Sequence, residues 1–157
     1  MTFKNQLDRI LEKILISLMC ILVLDVLWQV LSRYALAAPS SFTDELAGFL
    51  LIWVGLLGAA YVAGQKEHLA IDLLLQKSSP ANQKRLIRFI NVCIALFALS
   101  VMIIGGSWLV ITRFQFQVNS AALQIPLGYI YLVLPLSGLI TLYYSIVFIV
   151  EPAEELN

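Results

Sequence analysis

Charged residues are missing from three long stretches of this 157-residue chain. Leu46 to Gln65 carries no Asp, Glu, Lys or Arg for 20 residues, Phe89 to Thr112 for 24 and Phe114 to Val150 for 37. A helix rising ~1.5 Å per residue crosses ~30 Å of hydrocarbon in about 20 residues, so each stretch is long enough to span a bilayer. The last run exceeds one span. Its first part holds Gln115, Gln117, Asn119, Ser120 and Gln124 and reads as a non-spanning or interfacial segment. Pro126 suits the first turn of a helix, where its missing N–H costs nothing, and a fourth span follows it. Ile14 to Ser32 is interrupted only by Asp25 and is also long enough to cross.

The expected architecture is an all-α integral membrane protein with four transmembrane helices in a single domain, residues 1–157. Helix 1 is expected at about 12–35, helix 2 at 43–65, helix 3 at 86–113 and helix 4 at 126–150. An amphipathic connection, 66–88, joins helices 2 and 3, and a periplasmic connection, 114–125, joins helices 3 and 4. Composition agrees: 61% of residues are hydrophobic, 13% are charged and the net charge is zero. So few charges cannot cover a soluble globule, and a balanced count gives nucleic acid no attractive field. A soluble enzyme, a nucleic-acid binder and a disordered tail are excluded.

Basic residues set the orientation. Lys4, Arg9 and Lys13 precede helix 1, and Lys66, Lys77, Lys84, Arg85 and Arg88 lie between helices 2 and 3; only Arg33 and Arg113 fall on the other side. Both termini are therefore expected in the cytoplasm, in a bacterial inner membrane. Ala35-Leu36-Ala37, followed by Ala38-Pro39, resembles a signal-peptidase site. The preceding run is long for a signal sequence, contains Asp25 and ends in Arg33-Tyr34, so helix 1 is expected to be retained.

Cys20 and Cys93 fall within apolar spans and form no CxxC pair, so they read as buried free thiols. A single histidine, His68, cannot supply two axial ligands to a haem and makes a poor zinc site. No cofactor is expected. Within the connection 66–88, Leu69, Leu73 and Leu74 suggest a short helix with one apolar face. Ser79-Pro80 then opens a second stretch that leads into helix 3. Lys84, Arg85 and Arg88 stand where anionic lipid headgroups would meet them. The connection reads as an interfacial elbow or a docking arm for another subunit, and the two are compatible.

Ser41 and Asp44 have capping-box-like spacing at the start of helix 2, and Asp44 with Glu45 complements the helix dipole. Two adjacent acids on the sparsely charged side also suggest a partner contact. In helix 1, Asp25, Gln29 and Arg33 recur at steps of four and share one face, with Ser32 beside them. An acid near the bilayer centre costs ~2.5–3.5 kcal/mol on insertion scales and should not face lipid. Asp25 is either hydrogen-bonded at a protein–protein seam or a protonatable transport residue. Small residues mark close helix approach: Gly55, Ala59 and Ala63 with Ala60 and Gly64 in helix 2, and Ser137, Thr141 and Ser145 with Gly138 in helix 4. Pro135 is expected to bend helix 4.

From Leu31 to Leu75 the chain resembles the small membrane subunit (DctQ type) of tripartite ATP-independent periplasmic, or TRAP, transporters. The resemblance rests on Arg33-Tyr34, Phe42-Thr43-Asp44-Glu45-Leu46, Trp53, Gly58-Ala59 and His68-Leu69-Ala70-Ile71-Asp72. Phe42 stands where the family usually has Trp, Asp44 where it has the first Glu of an acidic cluster, and Lys66 where an Arg is common.

The resemblance implies a companion of a large multi-helix permease that is fed by a periplasmic substrate-binding protein. The large subunit would carry the sodium and substrate sites, and the small one would brace its static scaffold. Asp25, Gln29, Arg33, Trp53, Gly55 and Ala59 become candidates for the subunit interface. His68 and Asp72, four apart, would pair to fix the cytoplasmic elbow with Lys84, Arg85 and Arg88. Asp44, Glu45, Arg113 and Gln117 would face the periplasm, where the binding protein lands. Small organic acids such as C4-dicarboxylates or sialic acid are the cargo it implies. The competing expectation is an independent four-helix, proton-coupled exporter that uses Asp25.

Overall fold

A computed structural model describes residues 3–35, 40–65 and 80–150. Helix α1 is Phe3–Tyr34 and α2 is Ser41–Gly64. Helix α3, Pro80–Phe97, runs through a π-helical stretch, Ala98–Gly105, into α4, Gly106–Gln115. Helices α5, Leu127–Tyr131, and α6, Val133–Val150, follow. They form four helices long and apolar enough to cross a membrane: Lys4–Tyr34, Ser41–Gly64, Arg85–Gln115 and Leu127–Val150. Most of the elbow, with His68 and Asp72, lies outside the described residues, as does the Lys84 side chain.

Helix α1 starts at Phe3, well before residue 12. Its first turns carry Lys4, Asp8, Arg9, Glu12 and Lys13, yet Leu7, Leu11, Leu15 and Leu18 continue an apolar stripe at helical spacing. That stripe packs into the core, where Leu11 is buried with Leu57, Val133 and Tyr144. Burial of the stripe holds the charged turns helical.

The residue at the N-cap of α2 is Ser40, in an extended conformation and without a side-chain cap bond. The Thr43 hydroxyl donates to the Ser40 carbonyl at 2.9 Å. The Ser41–Asp44 capping box is not formed, because Asp44 turns towards α1. In the fourth span Pro126 occupies the N-cap, extended (φ −60°, ψ 123°), rather than the first turn. The helix is interrupted at Leu132. Pro135 explains the interruption, since it has no N–H for the Tyr131 carbonyl and its ring excludes that oxygen.

The spans do not pack in chain order. Helix α1 lies on α2, α2 lies on α6, and α6 lies on α3 and the π-helical stretch. The fourth span therefore sits between the second and third, and the first stands at one edge. One third of the most apolar window of the fourth span is buried, against 6% for the first and third. Small residues allow the central position: Ser137, Gly138, Thr141 and Ser145 of α6 are all buried. A Cβ on Gly138 would come within 2.7 Å of the Met102 side chain, and one on Gly106 within 3.0 Å of Leu134. These contacts bring the third and fourth spans close enough for backbone-level packing.

At the end carrying the termini, Tyr144 is fully buried and its hydroxyl donates to Asp8 at 2.5 Å. Lys4 lies over the Phe148 ring at 5.5 Å. These contacts tie the start of the first span to the end of the fourth, so both open on the same side. The C-terminal end of α1, the start of α2 and the connection 116–126 lie at the opposite end, the loop end.

Candidate functional site

Polar side chains that the apolar pattern does not explain gather at the loop end, around the first turn of α2. Asp44 and Glu45 are neighbours in sequence and point to different elements. Gln29 of α1 donates its side-chain amide to the Asp44 carboxylate. Arg33, one turn further along α1, stands 3.9 Å from the same carboxylate, with both side chains about half exposed. The step of four along α1 thus serves one acceptor on α2. Ser32 is buried beside this pair, its hydroxyl donating to the Gln29 carbonyl at 2.9 Å.

Glu45 faces the 116–126 connection. Its carboxylate accepts the Ser120 hydroxyl at 2.5 Å and the backbone N–H groups of Ala121, Ala122 and Leu123 at 2.9–3.0 Å. Successive N–H groups converging on one anion form a nest, and here the anion belongs to the chain itself. The connection is a tight hairpin-like turn: Ser120 N–H donates to the Ile125 carbonyl and Leu127 N–H to the Val118 carbonyl, both at 2.9 Å. Gln117 and Gln124 adopt positive φ, 49° and 55°. Such backbone is uncommon for residues with a Cβ. The Gln124 amide compensates by donating to the Ala121 carbonyl at 2.8 Å.

The other expected site residues separate into inward-facing and outward-facing groups. Asp25 is buried (9% exposed), and its Oδ2 has no hydrogen-bond partner among the described residues. Trp53 donates its indole N–H to the Ile130 carbonyl at 3.1 Å and so braces α5 just before the break at Leu132. Arg113 lies over the Tyr131 ring at 5.8 Å, and its Nε is buried without a hydrogen-bond partner among the described residues. Gly55 and Ala59 face outwards, and a Cβ on Gly55 would meet nothing within 4 Å. Gln117, Arg85 and Arg88 are exposed.

Four residues of this arrangement were not expected from sequence to take part in it. Ser120 and Gln124 lie in the amide-rich segment, whose composition signals a turn but not which acid it would wrap. Asp8 and Tyr144 are 136 positions apart, and no local pattern links them. Among the described residues no group of three or more His, Cys, Asp or Glu could hold a metal ion.

Four apolar spans braced by a polar cap at one end define a multi-pass membrane protein. The chain belongs to the DctQ component family of the tripartite ATP-independent periplasmic transporters, whose family model matches residues 22–155. That membership makes it a small permease component of a TRAP transporter, multi-pass in the inner membrane. It is 28% identical over 136 residues to the Haemophilus influenzae protein named "Putative TRAP transporter small permease protein", covering 85% of this chain and 81% of the relative. It is also 34% identical over 73 residues to the sialic acid TRAP transporter permease protein SiaT of Haemophilus influenzae. That match covers 44% of this chain and 12% of the relative.

Proposed function

We infer that this chain is the non-catalytic scaffold subunit of a sodium-coupled importer. It braces the large permease, which holds the sodium and substrate sites, while a periplasmic binding protein delivers a small organic acid. A C4-dicarboxylate, sialic acid or a similar acid is the cargo, and the SiaT match supports a sialic acid-like one. Both termini lie in the cytoplasm and the loop end faces the periplasm, as the distribution of basic residues indicates.

The observation that carries the reading is the spatial order of the spans. A row with the fourth span inside and the first at the edge presents a wide apolar surface to its surroundings. Such a shape suits a brace laid against a larger bundle. Gly55 and Ala59 on the open face of α2 are the residues that would touch the permease. Gln29, Arg33 and Trp53 would hold that face in shape through contacts inside the chain, with Asp25 buried on the same helix as the first two. His68 and Asp72, with Lys84, Arg85 and Arg88, would fix the cytoplasmic elbow. Asp44, Glu45, Arg113 and Gln117 would shape the periplasmic surface on which the binding protein lands.

Co-expression with the large permease tests the reading. The two chains should co-purify as a stable complex, and uptake in proteoliposomes should require both together with the binding protein. Substrate uptake by this chain alone would overturn the scaffold role.

A further inference from the structure

Helix α3 carries a groove at the end of the molecule where α1 begins and α6 ends. It is a shallow, open groove with room for about 320 Å³, lined along this one helix by Arg85, Arg88, Phe89 and Val92. Arg85 is followed at three, four and seven positions by Arg88, Phe89 and Val92, so the four share one side of the helix. Two cations stand at the outer end of the stripe and two apolar side chains one turn deeper. The charge-free run of the third span begins at Phe89, so the boundary between polar and apolar environments passes between Arg88 and Phe89. Side chains on a helix lean towards its N-terminus. The two guanidinium groups therefore reach outwards to the headgroup level while Phe89 and Val92 stay in the hydrocarbon.

Both arginines are exposed, and neither has a carboxylate partner among the described residues. Phe89 is 66% exposed, although it belongs to a span with packing partners on its other side. Two exposed guanidinium groups over an apolar floor match one amphiphile: a phosphodiester carrying acyl chains. Guanidinium groups bind phosphate oxygens in bidentate fashion, and the floor gives a free phosphate nothing to hold.

We propose that this groove is a binding site for an anionic phospholipid, with Arg85 and Arg88 on the phosphodiester and an acyl chain along Phe89 and Val92. The site lies apart from the outward face of α2 and from the polar cap at the loop end. It would anchor the start of the third span at a fixed depth in one leaflet.

Native mass spectrometry on the full-length chain, purified in mild detergent and offered equal amounts of phosphatidylglycerol and phosphatidylcholine, tests the site. Phosphatidylglycerol should be retained preferentially. R85Q/R88Q should weaken its retention about 25-fold, from about 5-fold for each basic residue near a charged surface. R85K/R88K should keep most of it, and the R9Q/K13Q control at the same end should keep all of it. Excess inorganic phosphate should not displace the lipid. Equal retention of the two lipids, or an equal loss in R9Q/K13Q, would reduce the site to general surface charge and overturn the proposal. Displacement by inorganic phosphate would make the arginines a phosphate site without an acyl component. Lipid retention that appears only after residues 151–157 are removed would assign the arginines to the chain's own acidic tail, and this too would overturn it.

Discussion

Glu45 accepts the hydroxyl of Ser120, 75 positions away, while its neighbour Asp44 accepts the Gln29 amide from the opposite side. The first turn of α2 is therefore the point where the first span, the second span and the 116–126 connection are joined. Replacing Glu45 removes the shared acceptor of three consecutive backbone N–H groups at once, while the Leu123 N–H keeps the Ser120 hydroxyl at 3.1 Å. In E45A the amides of Ala121, Ala122 and Leu123 should exchange with solvent about tenfold faster, as expected for lost hydrogen bonds to a charged acceptor. E45Q, which keeps one acceptor oxygen, should fall between. Amides in α6 should exchange as in the wild type. Unchanged exchange at 121–123 in E45A would show that the turn holds itself without the carboxylate.

Gly64 and Gly55 lie on the same helix and should respond in opposite ways. A Cβ on Gly64 would come within 2.6 Å of the Tyr144 ring, which is buried and bonded to Asp8 and so has little freedom to retreat. G64A should destabilise the chain by about 1–3 kcal/mol, the usual range for overpacking a filled core. G55A has open space and should change stability by less than about 0.5 kcal/mol, or raise it slightly through helix propensity. Thermal unfolding in detergent, followed by far-UV circular dichroism, reads both. Equal losses in the two variants would mean that the Gly64–Tyr144 contact is not the limiting one.

The spans were legible because charge is nearly forbidden in hydrocarbon, so residues such as Lys66 and Arg88 mark where the chain leaves it. The interruption of the fourth span was legible through Pro135, whose chemistry acts on its own helix. The true start of α1 was obscured by Lys4, Asp8, Arg9, Glu12 and Lys13, which mask the leucine stripe beneath them. The order of the spans was not legible. It depends on where Gly106, Gly138 and Gly64 meet Leu134, Met102 and Tyr144, and these are pairings between distant segments. The roles of the two acids were hidden for the same reason. Their sequence position accounts for a helix start, whereas their partners lie on α1 and on the connection after α4.

A second substitution at Gly55 separates folding from assembly. Leucine there fills open space on the chain itself and should leave its melting temperature within about 2 °C of wild type, in line with a stability change below about 0.5 kcal/mol. If the outer face of α2 touches the permease, the same side chain prevents close helix approach. G55L should then lower recovery of the large permease in co-purification about tenfold or more, while L51A on the same helix serves as a mild control. Full recovery with G55L would move the interface to another face of the row.

Asp25 distinguishes a structural acid from a coupling one. It is buried with one carboxyl oxygen lacking a hydrogen-bond partner among the described residues, an arrangement that is costly in hydrocarbon. Asparagine has nearly the same shape and cannot carry or release a proton. If Asp25 only fills the seam between α1 and α2, D25N should leave uptake by the assembled transporter within about twofold of wild type and should not lower its stability, because no ion pair is broken. If Asp25 moves protons, D25N should abolish uptake while the complex still forms. Measuring co-purification and proteoliposome uptake on the same preparation separates the outcomes. Lost uptake in an intact complex would give this subunit a direct part in coupling, against the scaffold reading.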